Sequence, residues 1–289
     1  MPREKARLVD HSCAGRGDLM AQNDSAFTGS LPRLYDRELG AVMFAPYAED
    51  MAQRLNGLST GRLLETAAGT GIVTQALAAS LPRSVDIVAT DLNQPMLDHA
   101  ATKQGIERVQ FQQADALALP FPEQSFDAVV CQFGIMFFPD RVAGMREARR
   151  VLKPGGRFLF SVWGSLAANS VMAATVEGLA RWRPEHPMWF LERTPCGYRD
   201  PDKIRADLRA AGFASETIEP VTRTGRAPNA RAPATGFCQG SPMMAEIQAL
   251  DPNGLDAATD AAASAIAARF GEGPFDVPLL ALVVEARLE

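Results

Sequence analysis

Short apolar runs and helical apolar repeats alternate through the middle of the chain, from about Gly61 to Trp163. Arg62-Leu63-Leu64-Glu65-Thr66 predicts a strand, and the spacing of Ile72, Val73, Ala76 and Leu77 predicts a helix after it. Residues 85–90 and a helix around Met96, Leu97 and Ala100 repeat the unit, and residues 109–113 and 126–131 are further strands. A helix near 142–151 stops at Lys153-Pro154-Gly155-Gly156, where Pro and Gly cannot continue it, and residues 157–163 read as a strand. Strands alternating with helices in this way predict a parallel sheet covered on both faces.

The pattern beyond Trp163 is less regular. Val171, Val176, Leu179 and Trp182 mark a helix over 170–183, and 201–211 is another, ended by Gly212. Residues 214–222 and 279–288 read as strands. Between them, 223–278 is rich in Gly, Pro and Ala and reads as a linker plus an Ala-rich helix at 256–270. Residues 31–55 predict helices capping the ligand edge of the sheet. The polar stretch 1–19 lacks the apolar core of a signal peptide, so 1–26 is expected to be a disordered extension, with Met20 an alternative start. No internal repeat is apparent.

Composition narrows the function classes. With 47% hydrophobic and 22% charged residues over 289, the chain has the balance of a globular protein with a sizeable core. Its net charge of −5 disfavours nucleic acid or an anionic membrane as the main partner. Cys13, Cys131, Cys196 and Cys238 form no CxxC pair and read as reduced thiols of a cytoplasmic protein. No apolar run reaches the ~18–20 residues that span a bilayer.

The chemistry concentrates where the first strand ends. Gly69 and Gly71 leave bare backbone for a ligand. A dinucleotide turn needs a third glycine for close helix packing, but that position holds Thr74. The acid Glu65 ahead of the turn repels a pyrophosphate and suits an ammonium or sulfonium cation. In such sheets ligands bind beyond the carboxyl ends of the strands. Here those ends carry Glu65, Asp91, Asp115 and Gln132-Phe133.

Glu65-Thr66-Ala67-Ala68-Gly69-Thr70-Gly71 resembles motif I of the class I S-adenosylmethionine-dependent methyltransferases, in the small-molecule, UbiE-like (methyltransferase type 11) branch. Ala67 departs from it, replacing a glycine; a slightly tighter turn with binding retained is expected. Asp91, 20 residues beyond Gly71, resembles the acid that accepts from both ribose hydroxyls. Leu92 and Met96 then flank adenine. Ala114-Asp115-Ala116 resembles the third-strand motif that meets the adenine edge. Residues 121–127 and Leu152-Lys153-Pro154-Gly155-Gly156 resemble the family's approaches to the fourth and fifth strands. Phe27-Thr28-Gly29-Ser30, Tyr35-Asp36 and Tyr47-Ala48 resemble its N-terminal cap.

The resemblance implies an α/β, doubly wound, seven-stranded, mostly parallel Rossmann-like sheet with an antiparallel last strand, an N-terminal helical cap and a C-terminal helical insertion. The cap is expected over 27–60, the S-adenosylmethionine-binding core over 61–164 and a substrate lid over 165–200. The same domain then ends over 201–289, with the insertion at about 223–278. It implies S-adenosylmethionine as donor, S-adenosylhomocysteine as product and no metal. The cofactor site would hold Tyr35, Glu65, Ala67, Gly69, Gly71, Asp91, Leu92, Met96, Ala114, Asp115, Ala116 and Gln132. The substrate site would hold Phe133, Trp163, His186 and Trp189, between cap, fourth strand and lid.

Each of these residues has a plainer reading. Tyr35 closes over the cofactor's methionine part or packs the cap. His186 is a general base or a loop residue; His99 faces away from the strand ends towards solvent, and His11 lies in the extension. Cys131 reads as a small buried hydrophobe, and Asp127, at the opposite end of its strand, as structural. The arginines from Arg181 to Arg231 recognise an acidic substrate or form a solvated face. Methyl transfer needs chiefly positioning, worth ~7–11 kcal/mol, with a base adding roughly 10²–10⁴-fold where the acceptor must lose a proton. The expected protein is therefore a cytoplasmic monomer or homodimer that methylates O, N or C of a small organic molecule. Two alternatives remain open: a non-catalytic S-adenosylmethionine-binding regulator, and an RNA or protein methyltransferase.

Overall fold

The structure, a computed structural model, describes residues 31–186 and 189–289. The expected extension and Phe27–Ser30 of the cap lie outside the described residues. Seven strands form one sheet: β1 (Gly61–Glu65), β2 (Val85–Asp91), β3 (Gln110–Gln113), β4 (Phe126–Gln132), β5 (Leu152–Trp163), β6 (Ser215–Ala227) and β7 (Phe275–Arg287). Their spatial order is β3-β2-β1-β4-β5-β7-β6, with β7 alone antiparallel to its neighbours. The doubly wound, mostly parallel sheet predicted from the alternation is the one observed.

Both faces of the sheet are buried, which is why its central strands read as unbroken apolar runs. Leu63, Ile87, Ala128, Val130 and Leu159 point to one face and pack under α2 (Ala45–Arg54) and α3 (Ile72–Ser80). Leu64, Val88, Val129, Phe158 and Phe160 point to the other, under α5 (Arg141–Val151) and α8 (Pro201–Ala211). Between them in the chain lie α4 (Gln94–Ala100), α6 (Ser170–Trp182) and α7 (Phe190–Arg193). The cap consists of α1 (Leu31–Leu39), a π-helical turn (Gly40–Phe44) and α2.

The β6–β7 hairpin runs longer than the sequence pattern predicts, by five residues at the end of β6 and four at the start of β7. Pro220, inside the predicted strand, and Gly225, in the stretch read as a linker, both have a place in the hairpin. β6 is the sheet edge, so Pro220 leaves no ladder bond unmade. Gly225 lies under the cap, where a Cβ would come within 1.8 Å of the Val42 carbonyl oxygen. The stretch taken for a linker is also helical, forming α9 (Arg231–Gln239) and α10 (Met243–Leu250) ahead of α11 (Leu255–Phe270). Its Ala232, Ala234, Cys238, Ala258 and Ala262 are buried, small residues that let helices approach closely.

Candidate active site

Sheet order reverses between β1 and β4, and the carboxyl ends of β1, β2 and β4 open there onto a cleft of about 1020 Å³ including its mouth. That is the scale of small-molecule pockets, ~300–1,000 Å³. Tyr35 and Phe44 of the cap roof it. Eleven of the twelve residues predicted to hold the cofactor line it: Tyr35, Glu65, Ala67, Gly69, Asp91, Leu92, Met96, Ala114, Asp115, Ala116 and Gln132. The twelfth, Gly71, is the left-handed residue (φ 79°) from which α3 starts, set back from the cleft wall.

The donor end is built from carboxyls on tight turns. Glu65 is 2% exposed, and its Oε2 accepts from the Thr74 hydroxyl at 2.6 Å. Thr74 thus replaces the dinucleotide glycine with a donor for the acid. Burial pushes the Glu65 carboxyl up to about 8, and the charge of Asp91 adds to the effect. Asp91 is also raised by burial, against the backbone N–H donors of Asn93 and Gly69. Those two bonds, at 2.8 Å each, fix its carboxylate at the end of β2. Asp115 Oδ1 accepts from the Leu117 N–H at 2.9 Å. Leu92, by contrast, is 51% exposed at the cleft wall, an apolar surface open to a ligand. Space is open above Gly69 as well, where an added Cβ would meet nothing within 4 Å.

Ala67 adopts φ +51°, the left-handed conformation a glycine takes freely. Its methyl is accommodated because position 134 is glycine: a Cβ there would lie 2.4 Å from the Cβ of Ala67. Phe133 is left-handed too, at φ +52°, a rare conformation for a bulky residue. Its ring stacks on Trp163 at 3.7 Å and 3°, its N–H donates to the Ser161 carbonyl at 3.1 Å, and Tyr47 meets both rings edge-on.

Four expectations need correction. Trp163 stands behind Phe133 and does not line the cleft. His186 and Trp189 lie outside it as well: His186 Nε2 is 3.4 Å from Glu246 Oε1, and Trp189, 1% exposed, packs on His186 and Trp182. Burial of Trp189 and Phe190 turns this segment onto α10. None of the described residues of 165–200, the expected lid, lines the cleft. His99 does not face solvent; it is about one-fifth exposed, beside Asp36. Several of the arginines pair with acids: Arg183 with Asp251, Arg193 with Glu246, Arg223 with Asp50 and Arg231 with Asp260.

Further residues lining the cleft went unread in the sequence: Phe44, Gly134, Phe137, Phe138 and Pro139. Their signal was the aromatic cluster just after Gln132-Phe133, on a single 3₁₀ turn (Ile135–Phe137) too short to show a period. Cys131 is fully buried, its thiol pushed up to about 11 by desolvation, which makes it an inert hydrophobe. Asp127 accepts from the Arg62 N–H and from Lys153 Nζ at the far end of β4, a structural role.

A family profile described as a methyltransferase domain matches residues 64–160. The demethylmenaquinone methyltransferase of Deinococcus radiodurans is 34% identical over 171 residues, which cover 54% of this chain and 68% of that protein. The chain belongs to the class I S-adenosylmethionine-dependent methyltransferases. The ubiquinone/menaquinone biosynthesis C-methyltransferase UbiE of Ectopseudomonas mendocina is 37% identical to this methyltransferase over 161 residues, covering 54% of the chain and 57% of that relative. The methyltransferase thus spans little more than half of that relative, and each alignment covers 54% of its own length. A solved phosphoethanolamine N-methyltransferase 2 of Haemonchus contortus, in complex with S-adenosyl-L-methionine, superposes with a TM-score of 0.56. It is 18% identical, over 94% of this chain and 60% of that one, and shares the fold.

S-Adenosylmethionine is the methyl donor of this family, and the cleft suits it chemically. Two buried carboxyls held in a low-dielectric site favour a cationic ligand, which would stabilise their ionised forms. Exposed Leu92 and the open space above Gly69 would take an apolar ring against bare backbone.

Proposed function

We propose that the methyltransferase alkylates a small, largely apolar aromatic acceptor, such as the ring of a quinol, within the cytoplasm. The observation that carries this reading is the acceptor end of the cleft, Phe44, Phe133, Phe137, Phe138 and Pro139. Among the described residues lining the cleft there is no Lys, Arg, His or Cys. The ionisable groups lining it are the carboxyls of Glu65, Asp91 and Asp115 and the Tyr35 hydroxyl. That set suits an electron-rich ring carbon beside an ionised hydroxyl: the carbon attacks the methyl, with S-adenosylhomocysteine as the leaving group, and the ring proton passes to water or a carboxylate. The names of the relatives support the same class. Among the described residues no helix is long and apolar enough to cross a membrane.

When bound, S-adenosylmethionine supplies a methyl group activated by the adjacent sulfonium. In this reading Asp91 accepts from the ribose hydroxyls, Leu92 and Met96 sandwich the adenine, and Asp115 receives its edge. Glu65 offsets the positive charge of the donor, and Phe133 and Phe137 orient the acceptor ring while excluding water. Incubating the protein with methyl-labelled donor tests the proposal, using a ring-unsubstituted naphthoquinol, a primary amine and an alcohol as acceptors. Label on the naphthoquinol ring carbon is expected. Label on the amine or alcohol alone, or on RNA or protein added from cell extract, overturns it.

A further inference from the structure

Asp36 sits on α1, next to the cleft-roofing Tyr35, and joins separate parts of the donor end. Its Oδ1 accepts from the Thr70 hydroxyl at 2.8 Å and from Lys103 Nζ at 2.7 Å, while its Oδ2 lies 3.3 Å from His99 Nε2. Thr70 belongs to the glycine turn, and His99 is on α4, the helix that also carries Met96. Lys103 follows just beyond that helix. The side chains of Asp36, Lys103 and His99 are 22%, 15% and 21% exposed, so the cluster is shielded from bulk water and salt. Burial alone would raise the Asp36 carboxyl, but the hydrogen bond and charge of Lys103 hold it below its ordinary value.

A second tie holds the cap on the opposite side of the cleft, where Gln132 Nε2 donates to the Phe44 carbonyl at 3.2 Å. Behind α1, Leu39 shares a core with Ala234 and Phe237 of α9, so the helical insertion backs the cap. The cap is thereby wedged between the insertion and the cofactor turn. Among the described residues, Asp36 carries a side-chain hydrogen bond from the cap to the turn itself, accepting from Thr70.

We propose that Asp36 is a positioning residue for the cofactor: it fastens the glycine turn and α4 to the cap, closes the cleft around the bound cofactor and sets its residence time. The physical logic is preorganisation. A turn ordered before binding loses less entropy on binding, and release requires Asp36 to part from three partners at once. The proposal rests on S-adenosylmethionine occupying this cleft.

Stopped-flow fluorescence of the full chain with S-adenosylmethionine tests it, the signal coming from Trp163 beneath Phe133. Asp36→Asn is expected to raise the dissociation rate at least tenfold and weaken affinity at least fivefold, and Thr70→Val to move both the same way by a smaller factor. Asp36→Glu, which keeps the charge, recovers part of the loss. In the ligand-free protein, Asp36→Asn should speed amide hydrogen exchange at residues 34–39 and 68–71 while exchange in β4 stays unchanged. Dissociation rates within twofold of wild type for both Asp36→Asn and Thr70→Val overturn the proposal. If Asp36→Asn does not fold, Thr70→Val decides it alone. Failure of the wild type to bind S-adenosylmethionine overturns the placement of the cofactor, and the proposal with it.

Discussion

The two ends of the cleft are built by opposite means. At the donor end, acids at the ends of β1 and β2 are held by backbone N–H groups and a hydroxyl: Asp91 by Asn93 and Gly69, Glu65 by Thr74. At the acceptor end, aromatic rings from the cap and the β4 turn meet across the chain, and Phe133 is held in its left-handed conformation by stacking on Trp163 together with its backbone bond to Ser161. Charge recognition needs a few polar atoms at fixed distances, which local backbone supplies. Shape recognition of an apolar ring needs area, which only distant segments packed together supply.

Substitutions at each end should separate the two functions. The largest effect expected is on donor binding. Asp91→Ala removes the carboxylate and leaves the N–H groups of Gly69 and Asn93 without their acceptor, so calorimetry should show affinity for S-adenosylmethionine falling at least tenfold, about 1.4 kcal/mol or more. Phe137→Ala should do the reverse, leaving donor affinity within about threefold while methyl transfer to the labelled acceptor drops about tenfold, the scale of a lost aromatic contact. Equal losses of donor binding in both variants would erase the division between the two ends.

The electrostatics of the donor end give a pH signature that the acceptor end lacks. Folding raises the Glu65 carboxyl from 4.5 to about 8. The ligand-free fold is therefore favoured most below pH 4.5, where the group is protonated, and loses that advantage as pH climbs towards 8. Binding of a cation favours the ionised form, so S-adenosylmethionine affinity should rise by up to about tenfold per pH unit below pH 8 and level off above it. Proton release should follow, visible as a buffer-dependent heat of binding. Glu65→Gln should flatten the dependence and raise the melting temperature of the ligand-free protein at pH 8.

Smaller effects are expected at the seam between the two ends, where Ala67 faces Gly134. Gly134→Ala forces two methyl groups to 2.4 Å and should cost ~1–3 kcal/mol in thermal unfolding. Ala67→Gly in the same chain should restore most of that loss, a coupling a double-mutant cycle measures directly. On its own, Ala67→Gly trades relief of a left-handed alanine against greater chain entropy and should fall within about 1 kcal/mol of wild type.

The donor end could be read in the sequence because each of its residues ends or follows a segment that marks itself as a strand or a tight turn. Glu65, Gly69 and Asp91 fall at the ends of strands whose apolar runs mark them. The substrate residues could not be read in this way. Trp163, His186 and Trp189 were placed by their aromatic or titratable character, yet the packing of the insertion sends His186 to Glu246, buries Trp189 against His186 and Trp182, and seats Trp163 behind Phe133. Gly225 and Pro278 resembled positions beyond the strands because nothing in their order reveals an edge strand or a cap lying against it.

Sequence by itself determined the layered sheet, the carboxyl-ended strands and the glycine turn, because each follows from local propensity and spacing. Tertiary structure alone decided that Ala67 is tolerated, since Gly134 leaves it room, and that Asp36 meets Thr70 and Lys103, 34 and 67 residues away. The acceptor wall was decided there too. Contacts across such separations depend on how helices pack, and apolar packing is not directional enough for one segment's pattern to name its partner.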